Sequence, residues 1–105
     1  MHVVILITAP NAEVAHRLAR TLVEERLAAC VNIVPAVTSI YRWQGRLNEE
    51  PETLLIVKST QANFDALSAR IHQLHPYTTP EVIALPITAG AAPYLAWLTT
   101  ETNPA

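Results

Sequence analysis

Residues 3–7 (VVILI) and 54–57 (LLIV) are apolar at every position. In an extended strand successive side chains point to opposite faces of the sheet, so runs of this kind need burial on both. An antiparallel sheet with one wet face would alternate apolar and polar residues instead. The chain therefore has two sheet faces to cover, and at 105 residues it holds material for one modest core.

The other segments set how much of that cover the chain can supply. Residues 2–8 read as a strand from their Val and Ile content. Pro10 and Asn11 open a helix with Asn11 as its N-cap. Val14, Ala15, Leu18, Ala19, Leu22 and Val23 give that helix one apolar face, to about Leu27. Residues 30–44 are strand-like throughout, with Pro35 marking an edge or a bulge. Residues 45–50 read as a turn and residues 52–60 (ETLLIVKST) as a strand. Ser59 or Thr60 caps a second helix, in which Phe64, Leu67, Ile71 and Leu74 share a face and which Pro76 ends. Residues 81–88 make a fourth strand, placed at an edge by Pro86, and residues 91–102 a short closing helix.

The order β-α-β-β-α-β with an added helix predicts one α+β domain over residues 1–105, a ferredoxin-like sandwich with an extra C-terminal helix. Right-handed crossovers put both main helices on one face of the sheet, which leaves nothing in the chain for the other. Residues 30–44, extended at about 3.3 Å each, span roughly 50 Å, against a radius of gyration of about 13 Å for a domain of this size. The 41–47 end of that ribbon should overhang its own domain and pair with a neighbour, unless a bulge at Pro35 folds it back. The expectation is an obligate homo-oligomer.

Charge narrows the partners. Only 15% of the residues are charged, the net charge is −2, and the seven Lys and Arg are scattered singly, so no basic patch suits nucleic acid. The N-terminal apolar run lacks a basic leader and is too short to span a bilayer. Cys30 is the only cysteine and cannot form an intrachain disulfide, which fits a reducing compartment. The expectation is a soluble, cytoplasmic protein with neither a membrane nor a nucleic-acid partner. Two glycines, eight prolines and two buried sheet faces predict a melting temperature above the ordinary mesophile range of about 45–65 °C.

Few residues offer chemistry. Lys58, the only lysine, either snorkels at a strand end or is a cation held near a pocket there, paired with an anion or a carboxylate such as Glu81. His72 and His75 stand three apart, and Pro76 fixes the chain just after His75. Cys30 has no basic or histidine neighbour in sequence to activate it and reads as a small hydrophobe. Tyr41, Trp43, Tyr94 and Trp97 suit packing, subunit contact or a pocket wall. The stretch TAPNAEVA has no glycine for an anion loop, and LLIVKST has no ring for RNA stacking. No paired carboxylates, Ser/His/Asp set or phosphate loop can be assembled, so no enzyme is expected.

The segments LAACVNIVPAVTSIYRWQGRLNEE, LLIVKST, HPYTTPEVIALPI and YLAWL resemble, in order, those of the CutA divalent-cation-tolerance proteins. The resemblance implies a ferredoxin-like protomer in a PII-like homotrimer. It implies a role in tolerance of, or response to, divalent metal ions, chiefly copper, through weak metal binding or sensing and without catalysis. Carried over by position, the family's polar and aromatic cluster falls on Cys30, Trp43, Lys58, His75, Tyr77, Glu81, Tyr94 and Trp97, lining a cleft between subunits. Ile7 stands where some members have a cysteine, and Leu74 where some have a histidine before H-P-Y. Cys30, His75 and Glu81 are left as the metal ligands, for a divalent metal or copper ion, with no organic cofactor. A small-molecule or anion-binding signalling module built on the same cleft, and a non-catalytic interaction scaffold, are the alternatives.

Overall fold

The computed structural model describes residues 1–103; the last two positions of the expected 1–105 domain lie outside it. Strand β1 (His2–Ala9) leads into helix α1 (Ala12–Glu24), followed by β2 (Cys30–Trp43) and β3 (Arg46–Thr60). One 3-10 turn (Gln61–Asn63) enters α2 (Phe64–Leu74), and β4 (Val82–Pro86) and α3 (Ala92–Glu101) complete the chain. The strands form one antiparallel sheet in the order β2-β3-β1-β4. This is the split, ferredoxin-like arrangement expected from the element order, with Pro35 and Pro86 both on edge strands.

Parity decides which side chains make the core. Val3, Ile5, Ile7 and Ala9 of β1 and Leu55 and Val57 of β3 are buried on one face. Ala15, Leu18, Ala19 and Leu22 of α1 and Leu67 and Ile71 of α2 pack onto them. Each fully buried Leu or Ile contributes about 1.5–3 kcal/mol. Asn11 caps α1 as expected, its side chain accepting the Val14 N–H at 2.9 Å.

Helix α1 stops short of Leu27 because Arg26 takes a left-handed conformation, φ 60°. The Arg26 N–H then reaches the Val23 carbonyl at 3.1 Å, and the Leu27 N–H the Leu22 carbonyl at 2.9 Å. That is a Schellman closure with arginine where glycine is usual. Ser59 does not cap the second helix. It is fully buried in β3 and donates to the Leu27 carbonyl at 2.5 Å, tying the α1–β2 connection to the sheet. Thr60 precedes the 3-10 turn but makes no side-chain cap bond.

The expected turn over residues 45–50 is also shorter in the fold. Gln44 and Gly45 alone reverse the chain, both with positive φ (51° and 77°), as in a two-residue type I′ hairpin. Strand β3 therefore begins at Arg46 and runs fifteen residues. Strand β1 pairs with β3 only from Thr53 onward. Residues 46–52, Pro51 among them, thus pair with β2 alone and have one free edge, where a missing N–H is tolerated.

A register shift between Val34 and Val37 places the bulge at Pro35, yet the ribbon runs on past it rather than folding back. Its far end carries Ile40 (63% exposed), Tyr41, Trp43 and Leu47 (71% exposed). The overhang gives the chain a 44 Å long axis and a radius of gyration of 14.2 Å.

The sequence leaves nothing in the chain for the second sheet face, and the structure corrects this: α3 crosses one end of it. The ring Nε2 of His2 and the Thr99 hydroxyl lie 2.8 Å apart, the Asn63 amide donates to the Thr102 carbonyl at 3.1 Å, and Leu98 is fully buried. Beyond α3, Leu6, Leu54 and Ile56 remain half-buried. Ile83 and Leu85, cross-strand from Leu6 and Val4, are 51% and 46% exposed.

Candidate functional site

Where β1 ends, β3 emerges from the ribbon and the 75–81 segment passes over both, a cleft of about 580 Å³ opens. Its walls include Tyr41 and Trp43 from the ribbon, Glu52 from β3, and Tyr77 and Glu81 from the HPYTTPE segment. Pro76 ends α2 at Leu74, and Pro80 favours extended backbone before it, so this segment is stiff by local chemistry.

His75 fixes the segment to the sheet. Its Nε2 donates to the Thr8 carbonyl at 2.8 Å, and its Nδ1 accepts the Tyr77 N–H at 3.1 Å. Both partners together assign the Nε2–H tautomer. The ring is buried and lies 4.6 Å, centroid to centroid, from the Tyr77 ring. Tyr77 in turn donates its hydroxyl to Glu52 Oε2 at 2.8 Å. Glu52 is 9% exposed. Among the described residues the side-chain ion pairs are Arg20–Glu24, Arg26–Glu101 and Arg70–Glu25, so no cation of the chain reaches Glu52 or Glu81.

This concentration of negative charge shows in the titrating groups. Burial, then the hydrogen bond to Glu52, pushes the Tyr77 hydroxyl well above its ordinary value and keeps it a donor. Burial, then the Glu52 charge, raises the Glu81 carboxyl. Tyr41 is raised by desolvation and then by Glu50.

The residues expected at one cleft divide into two groups. Trp43, Tyr77 and Glu81 line the cleft, with His75 behind Tyr77 as its support. Cys30, Lys58, Tyr94 and Trp97 lie toward the other end of the sheet. Cys30 pairs with Lys58, and Lys58 with Val4, four residues along β1 from Thr8, or about 13 Å. The Lys58 ammonium donates to Asn32 Oδ1 rather than to Glu81. Tyr94 meets Cys30, and burial followed by that contact raises its hydroxyl. Its ring lies 5.4 Å from Trp97, which lines a separate cleft with Arg26 and Glu101.

Within one chain, then, Cys30 does not join His75 and Glu81. Both His75 nitrogens are already bonded, and among the described residues no three His, Cys, Asp or Glu side chains come close enough to hold a metal ion. The missed member is Glu52. Its only trace in the sequence is an acid two positions ahead of the apolar run 54–57, and its meeting with Tyr77 depends on how the strands pair.

Residues 3–101 match the family model described as CutA1 divalent ion tolerance protein. The chain is 58% identical over 103 residues to the divalent-cation tolerance protein CutA of Thermus thermophilus, covering 98% of this chain and all of that one. It is 46% identical over 101 residues to the chloroplastic protein CutA of Arabidopsis thaliana, covering 96% of this chain but 56% of the longer plant protein. The Thermus thermophilus structure superposes with a TM-score of 0.92 at 59% identity, covering 93% of this chain and 95% of that one. An Archaeoglobus fulgidus protein described as the periplasmic divalent cation tolerance protein CutA superposes with a TM-score of 0.95 at 38% identity, covering 98% and 100%.

Proposed function

The chain belongs to the CutA1 divalent ion tolerance family, and on that premise we propose that it acts in divalent-cation tolerance by weakly binding or sensing the ion at the Glu52–Glu81 cleft, without catalytic turnover. The observation that carries the reading is Glu52, a carboxylate 9% exposed, sharing a cleft with a second carboxylate, with no cation among the described residues paired to either. A buried charge needs a counter-charge, and oxygen donors suit hard and borderline divalent ions. Two carboxylates fall short of the three or four ligands of a selective site, which suits weak binding. His75 serves in this reading by holding Tyr77, and through it the Glu52 carboxylate.

Copper enters the proposal as Cu(II), the oxidation state that carboxylates accept. An anion-binding module is the poorer reading, since the cleft walls hold two carboxylates and Lys58 is bonded elsewhere. The proposed working form is a homotrimer: Ile40 and Leu47, exposed on the ribbon face away from Tyr41 and Trp43, and the uncovered strip of Ile83 and Leu85 support assembly, and the number three comes from family likeness. The proposed location is the cytoplasm, supported by the free thiol of Cys30; cell fractionation decides between it and the periplasm named for the Archaeoglobus relative.

Calorimetric titration of the metal-free protein with Cu(II), Zn(II) and Mn(II) tests the binding step. Saturable binding that Glu52→Gln weakens about tenfold is expected, about 1.4 kcal/mol. Dissociation constants all weaker than about 1 mM, a scale of about 4 kcal/mol, would remove it.

A further inference from the structure

We propose that this cleft also binds a small organic ammonium ion, with the rings of Trp43, Tyr41 and Tyr77 as its walls and Glu52 and Glu81 as its counter-charge. The inference rests on the cation-binding reading of the cleft given above and goes beyond it in the class of cation.

The aromatic walls carry the argument. A hydrated divalent ion needs donor atoms in fixed geometry and gains little from a ring face. An alkylated ammonium is large, weakly hydrated and attracted to the negative face of an aromatic ring. Three of the residues lining the cleft are Tyr41, Trp43 and Tyr77, and a metal-only reading gives these rings no part in binding. The size agrees: about 580 Å³ lies within the usual span of small-molecule pockets, about 300–1,000 Å³.

Charge selects the sign of the ligand. Anions meet two carboxylates, and a neutral ligand leaves Glu52, 9% exposed, without the counter-charge that its burial calls for. An ammonium satisfies the carboxylates and the ring faces at once. Tyr77 is preset for this role, because its hydroxyl is held by Glu52 and its backbone by His75.

The test uses the whole 105-residue chain with Trp97→Phe, so that Trp43 is its only indole. Tetramethylammonium chloride is titrated against sodium chloride at matched ionic strength. A saturable change in Trp43 emission is expected with the ammonium and not with sodium. Calorimetry should show Trp43→Leu weakening tetramethylammonium about tenfold, and Trp43→Phe restoring most of the loss. Glu52→Gln should weaken both ligands. No saturation below about 100 mM, weaker than any specific affinity, overturns the proposal, as does an unaltered tetramethylammonium isotherm in Trp43→Leu. If Zn(II) binds and tetramethylammonium does not, the ammonium inference alone fails. The reverse result removes the metal reading and supports the ammonium.

Discussion

At the scale of single residues, His75 and Glu81 play parts that their positions in HPYTTPE do not reveal. His75 has both ring nitrogens bonded inside its own chain, so a side chain that suggests a ligand acts as a bracket. Glu81 carries the titration signature of the cleft. Its carboxyl is raised by burial and by Glu52, so the folded chain holds this proton to higher pH than the unfolded one. Its contribution to stability is therefore fully present below the ordinary carboxylate value of about 4.3 and is lost as pH rises through the raised folded value. Glu81→Gln, neutral at every pH, is expected to denature later than the parent protein near pH 7 and together with it near pH 3.5. Denaturant midpoints at the two pH values check this, and a parent protein the more stable at pH 7 contradicts it. The stiffness of the segment was legible in its two prolines. The acid that receives Tyr77 was not, because it sits 25 positions away in sequence and only strand pairing brings the two together.

At the scale of elements, the ribbon turns on Gln44 and Gly45. The run NEEPE after them has the composition of a loop, yet Ile40–Glu49, Tyr41–Asn48 and Arg42–Leu47 pair across it. Composition misleads here because residues in a solvated two-stranded ribbon have no core face to betray their period. A Cβ on Gly45 would meet nothing within 4 Å, so its φ of 77° is the whole reason for glycine. Gly45→Ala is expected to cost about 1 kcal/mol in equilibrium denaturation while the far-ultraviolet circular dichroism spectrum is retained. An unchanged midpoint would mean that the turn relaxes freely. The end of α1 shows the same limit of sequence reading. Its apolar periodicity continues to Leu27, and the stop at Glu24 comes from a left-handed arginine that no propensity scale favours.

At the scale of the molecule, unbroken apolar runs in β1 and β3 pointed to two covered faces, and they were informative about the core and incomplete about the rest. Helix α3 takes one end of the second face, a docking set by Leu98, Thr99 and Thr102 that helix periodicity alone does not assign to a surface. The strip beyond it, and Ile40 and Leu47 at the ribbon end, stay exposed within the chain, and the proposed assembly would cover them. Sedimentation is expected to show a species larger than one chain at micromolar concentration, reduced toward the monomer by Ile83→Lys paired with Leu85→Lys. A folded monomer of the parent protein at that concentration overturns the assembly. The ribbon has a genetic consequence too. It stands clear of the core, so a chain altered at Ile40 or Leu47 still folds and, in an assembly built through that ribbon, enters it beside intact copies. Such alleles should be dominant over the normal gene, whereas alleles that empty the core at Leu18 or Ile71 never reach assembly and should be recessive.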